Sequence, residues 1–153
     1  MSVNKYEKFG SRGFAPSSNT IGNAEGDIVF IGGGGAEGTD VAGGRLYYLN
    51  SNTQWSPADA DSVSTSSNLL AIALADGDPS TVGMLLRGMI TLSVDPGVGV
   101  GIPLYLSATP GQCTRVAPSG AGDVVRVIGY KIGSSTNKQI WFNPDNTWVE
   151  ITG

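Results

Sequence analysis

Directly after an apolar run, DIVFIGGGGAEG places Gly33, Gly35 and Gly38 in a G-x-G-x-x-G spacing. In dinucleotide sites such glycines let backbone N–H groups reach a pyrophosphate where a helix begins. Here the chain continues TDVAGGRLYYL, with two more glycines and no helical period. A Gly-rich loop is therefore expected, and no cofactor is assigned. Two acidic loops, PADADS and ADGDPS, hold Asp59, Asp61, Asp76 and Asp78, oxygen ligands of the kind Ca²⁺ takes. Neither loop runs on to a Glu twelve positions from its first ligand, so solvated carboxylates are expected and no metal is assigned.

The remaining reactive groups are sparse. Serines and threonines abound, but the chain has no His, so only Lys could activate a nucleophilic Ser, and no Ser–Lys pair is assigned that role. Glu150, in TWVEI, is the one carboxyl in an apolar run, and alternation turns it outward. Cys113 is the single cysteine, which permits no internal disulfide and no cysteine-based zinc site. It is expected to pack as a small apolar residue. No catalytic residue is assigned, and the chain is expected not to be an enzyme. Trp55, Trp141 and Trp148 could stack on sugars, though aromatics in short strands also fill cores and subunit interfaces.

The elements that must carry these residues are short strands. From residue 27 onward come DIVFI, RLYYL, LLAIAL, GMLLRGMITLSV, PLYLS, CTRVA, DVVRVIGYKI, QIWFN and TWVEI, each bounded by Gly, Pro, Asn, Asp or Ser. In the longest, Leu86, Ile90, Leu92 and Val94 are expected on one face, with Arg87, Thr91 and Ser93 on the other. Helical periodicity is nearly absent; ADADSVSTSSNLL suits one short helical turn at most. The prediction is an all-β protein, a small sandwich or barrel.

An internal repeat refines it. At an offset of 57, Gly44, Tyr48 and Leu49 lie over Gly101, Tyr105 and Leu106. At 56, LLAIAL lies over VRVIGY and GMLLRG over QIWFNP. Two similar halves, about 44–94 and 101–151, are predicted to close over a shared core within a β domain of residues 27–153.

Residues 1–26 show neither period and are expected to form an extended amino-terminal arm. Tyr6, Phe9, Arg12 and Phe14 are its candidate partner-binding residues; the alternative is an arm folded back on its own domain. The net charge of −4 and nine scattered basic residues argue against nucleic acid as a partner. No window reaches the apolar length of a membrane span, and MSVNKYEKFGSRGF lacks the apolar core of a signal peptide, so a soluble protein made in a cytoplasm is expected.

The string LYYLN…QW…ADADS…LLAIAL…GMLLRG, followed by PLYLS…RVIGY…IWFNPDNTWVEI, resembles a module of small β-rich virion proteins from tailed bacteriophages, notably marine and cyanobacterial phages. FNPDNTWVEI is its most specific part. The resemblance implies a structural virion protein and supplies no catalytic residues. A capsid decoration (cement) protein on the outer head surface, bound to the major capsid protein and trimeric, is the expected role. No shaft-like sequence precedes the β domain, which favours that role over the alternative, a fibre tip that binds a receptor or host surface glycan.

Overall fold

The structure, a computed structural model, describes residues 19–34 and 40–152. Among these the strands are β1 (Ala24–Val29), β2 (Gly33–Gly34), β3 (Leu46–Leu49), β4 (Gln54–Pro57), β5 (Leu70–Ala73), β6 (Met84–Thr91), β7 (Pro103–Leu106), β8 (Cys113–Thr114), β9 (Val124–Val125), β10 (Val127–Lys131), β11 (Gln139–Phe142) and β12 (Val149–Glu150). One 3-10 turn (Val63–Thr65) falls in the serine-rich stretch where a short turn is predicted, and a single helical turn (Pro79–Val82) precedes β6. The protein is all-β.

One sheet runs in the order β2-β4-β3-β5-β6-β11-β10-β7-β8, with β1 added along β6; β9 and β12 form a separate pair. Its far ends meet. Leu46 N–H donates to Gly111 O, Gly111 N–H to Ala58 O and Ala60 N–H to Ser107 O, at 3.0, 2.8 and 2.8 Å. These bonds tie the β3–β4 end to the β7–β8 turn, so the sheet rolls into a barrel-like body. Leu46, Ile72, Leu85, Ile90, Leu104, Leu106, Ile128 and Phe142 fill its interior. A second cluster, around Tyr47, Trp55, Ala71 and Met84, packs on the other face of β3–β6.

The halves repeat in their ladders as well as in their letters. The pair Tyr48–Leu70, shifted by 57 positions, is Tyr105–Val127. Ile72–Leu85 becomes Gly129–Phe142, and Ala73–Met84 becomes Tyr130–Trp141. The backbone offset is thus 57 for all these strands, and the offset of 56 for the later ones is corrected. Its cause is a bulge, because β10 shifts register against β7 between Val127 and Gly129. Ile128 is the extra residue, and it turns into the core where Ile72 does, one position out of step.

β6 joins the halves. Its Met84 and Leu85 pair with β5, and Gly88 to Thr91 pair with β11. A second register shift, where β1 passes from Asp27–Arg87 to Ile28–Leu85, leaves Leu86 as an extra residue. Ile90 and Leu92 face the barrel interior as expected, but Leu86 packs with the second cluster, and Thr91 is fully buried. The bulge inverts the alternation, which a strictly period-2 pattern cannot anticipate. At the crossing, Gly26 faces Gly88 with φ of 156° and 148°. A Cβ on either would run into the partner strand's backbone.

Every apolar run in the sequence contains a strand, and DVVRVIGYKI contains two. β2 and β4 fall outside those runs, being Gly-Gly and the mixed QWSP. β1 starts at Ala24, so the last residues of the 1–26 segment already belong to the sheet. Tyr6, Phe9, Arg12 and Phe14 lie outside the described residues.

Candidate functional site

Gly33 and Gly34 form β2, parallel to Gln54 and Trp55, and Gly33 N–H donates to Thr53 O at 2.9 Å. Gly35 and Gly38 lie outside the described residues. Three of the four aspartates brace loops, Asp59 and Asp78 their own and Asp76 the loop of Gly43. Asp59 Oδ1 accepts from Asp61 N–H and Thr65 Oγ1, Asp76 Oδ1 from Gly43 N–H, and Asp78 Oδ1 from Ser80 N–H and Oγ. Donation by the Ser80 hydroxyl, then by its N–H, holds the Asp78 carboxyl below the usual range. Among the described residues no three acidic or Cys side chains converge as a metal site.

Ser135 and Lys138 do stand at a Ser-x-x-Lys spacing, as do Ser2 and Lys5 outside the described residues. Ser135 offers its carbonyl to Lys131, while Lys138 Nζ reaches Ser93 O at 3.5 Å. Cys113 is buried, and burial pushes its thiol up to about 12, far from the reactive thiolate range. Glu150 is exposed on β12.

The three tryptophans separate. Trp55 is fully buried and donates Nε1–H to Ile31 O at 2.9 Å, so its ring is unavailable for stacking on a sugar. A long aromatic side chain in a mixed polar strand here fills the second core cluster. Trp148 is exposed beside β12. Trp141, on β11, is half-buried and stands directly opposite Tyr130 of β10. Cross-strand partners share a face, so Tyr130 and Trp141 make an aromatic pair on the outside of the sheet.

Tyr130 of that pair lines an open cleft of about 360 Å³, together with Val127, Asn143, Pro144, Asp145 and Asn146. The cleft is built from behind. Asn143 N–H donates to Ile128 O and Asp145 N–H to Val127 O, at 2.8 and 2.9 Å, which fixes the turn after β11 against β10. Asp145 Oδ1 accepts from Thr147 N–H and Oγ1. The Thr147 N–H, then its hydroxyl, keeps that carboxyl ionised below the usual range. The nearly buried Arg126 guanidinium donates Nε–H to Asp145 O at 2.8 Å and Nη1–H to Ser66 O and Asn68 O at 2.6 and 3.0 Å. One cation thereby ties the cleft's wall to the first half of the chain.

Lys131 makes a parallel anchor. Its side chain is wholly buried, and its ammonium donates to Asp95 Oδ1 at 3.0 Å, to Ser135 O at 2.8 Å and to Gly97 O. A wider cleft of about 450 Å³, lined by Ile21, Ala42, Arg45, Leu74, Asp76 and Ser93 among others, carries the single opposed pair Arg45 and Asp76, whose carboxylate already holds Gly43 N–H.

Arg126, Lys131 and the Tyr130 cleft are absent from the sequence-based candidates. The Asn-Pro-Asp-Asn run is a turn signal in its own right. Nothing in the letters says that it closes on Tyr130. Comparison with known proteins adds no relative: no family model, curated protein or solved structure matches the chain.

Proposed function

We propose that the protein is a structural component of a bacteriophage virion, a decoration protein that binds the outer head surface and braces neighbouring capsid subunits. The observation that carries this is where apolar side chains meet solvent. Val98, Val100 and Val116 are 57, 63 and 66% exposed. Arg115 holds their loops together, its N–H donating to Pro96 O at 3.0 Å and Nη1–H to Val98 O at 3.1 Å. Exposed valines on tied loops offer a docking surface of fixed shape. The barrel behind them is stitched by buried cations, which suits a part that bears load. In this scheme Tyr6, Phe9, Arg12 and Phe14 grip an adjacent capsid subunit, and assembly into a trimer multiplies weak contacts.

Electron microscopy of intact particles with a gold-labelled antibody tests the proposal. Label over the head surface is the expected result, and deletion of residues 1–20 should remove it. Unlabelled particles would refute a virion role. Label at a tail or fibre tip would favour the second reading, a receptor-binding tip, which draws its support from the Tyr130 cleft.

A further inference from the structure

We propose that the cleft between β10 and the turn after β11 is a binding site for a neutral saccharide, with Tyr130 as its apolar platform and Asn143, Asp145 and Asn146 as its polar wall. This goes beyond the decoration role and does not depend on it. A pyranose presents a C–H face and a rim of hydroxyls, each both donor and acceptor. Tyr130 is 46% exposed and paired with Trp141, so an aromatic surface is in place for the C–H face. Among the described residues the side-chain amides of Asn143 and Asn146 have no protein partner, so both remain open to hydroxyls. Asp145 adds Oδ2 as an acceptor, its Oδ1 being taken by Thr147. At about 360 Å³ the cleft falls within the roughly 300–1,000 Å³ of small-ligand sites.

Charge narrows the class. Asp145 is the only ionised group lining the cleft, which disfavours anionic sugars, and a single carboxylate is a poor cradle for a divalent cation. Preorganisation is the stronger support. Arg126, Ile128 and Val127 hold the turn from behind, so binding a sugar need not order a loop.

Saturation-transfer NMR of the full chain with the methyl glycosides of glucose, galactose and mannose, each at millimolar concentration, is the test. Saturation of the ring C–H protons of at least one glycoside is expected, with binding at least about tenfold weaker in Tyr130→Ala and in Asn146→Ala. Tyr130→Phe, which keeps the ring, and Asn52→Ser, in the exposed turn between β3 and β4, should bind as the parent does. Should Tyr130→Ala fail to fold, Asn146→Ala, an exposed turn substitution, still decides. No transfer to any of the three sugars, or transfer undiminished in the folded variants, would overturn the proposal. So would transfer that a chelator abolishes, because the sugar would then be held through a cation.

Discussion

Replacing Lys131 with Met removes an ammonium while keeping a similar unbranched stem in a site with no solvent exposure. The wild-type head uses all three of its protons, on Asp95 Oδ1 and the carbonyls of Gly97 and Ser135. Hydrogen bonds to a charged group contribute about 1.5–3 kcal/mol each. Against them stands the cost of taking the ammonium out of water, several kcal/mol. Asp95 is one-third exposed and rehydrates when its partner goes, as do carbonyls in surface loops. The net expectation for Lys131→Met is a loss of about 2–4 kcal/mol, or a Tm lower by about 5–15 °C in a domain of this size. Thermal unfolding followed by circular dichroism measures it. A Tm within about 2 °C of wild type, or above it, would mean that desolvation cancels the three bonds and would refute the anchoring role. The pH dependence supplies an independent check. Donation by Gly97 N–H, with Lys131 behind it, lowers the Asp95 pKa on folding. Its stabilisation is therefore complete above the unfolded value of about 3.9 and is lost as pH falls through the lower folded value. The stability gap between wild type and Asp95→Asn should close below about pH 4.

Gly88→Ala should cost about 2 kcal/mol or more in urea unfolding, since its positive φ and the approach of the Glu25–Gly26 backbone both oppose a Cβ. Arg126→Lys should lower Tm even though charge is kept, because one ammonium cannot span Asp145, Ser66 and Asn68 as the planar fork does; a Tm equal to wild type would count against the clamp. Cys113 should resist thiol reagents in the native protein and react at the rate of unfolding, as the burial that raises its pKa implies; rapid modification without loss of structure would contradict that placement.

Strand identity was legible because Leu46–Leu49, Leu70–Ala73 and Pro103–Leu106 are local apolar runs between turn residues, and each half repeats the same order. The two bulges were not. Leu86 and Ile128 look like ordinary strand residues, and only pairing with β1 and β7 makes each one supernumerary. The buried cations were hidden for a related reason. Arg126 and Lys131 stand in an apolar run, and their acceptors include carbonyls from residues far along the chain, such as Ser66 and Gly97. Trp55 shows the reverse error, an aromatic in a polar stretch that the sheet then covers. The Tyr130 cleft needs β10 and the turn after β11 together, and its residues become neighbours through ladder register alone.

The union of both halves on β6 has a bearing on synthesis. Gly88–Thr91 leaves the ribosome long before Gln139–Phe142, its partner some fifty residues on. At ~5–20 residues per second that wait lasts ~3–10 s, with β1 available to cover one side of the strand and the other side unpaired. A chain stalled or cleaved within that interval would keep the open side for good, and the likeness between the halves makes another truncated copy a ready but mistaken substitute.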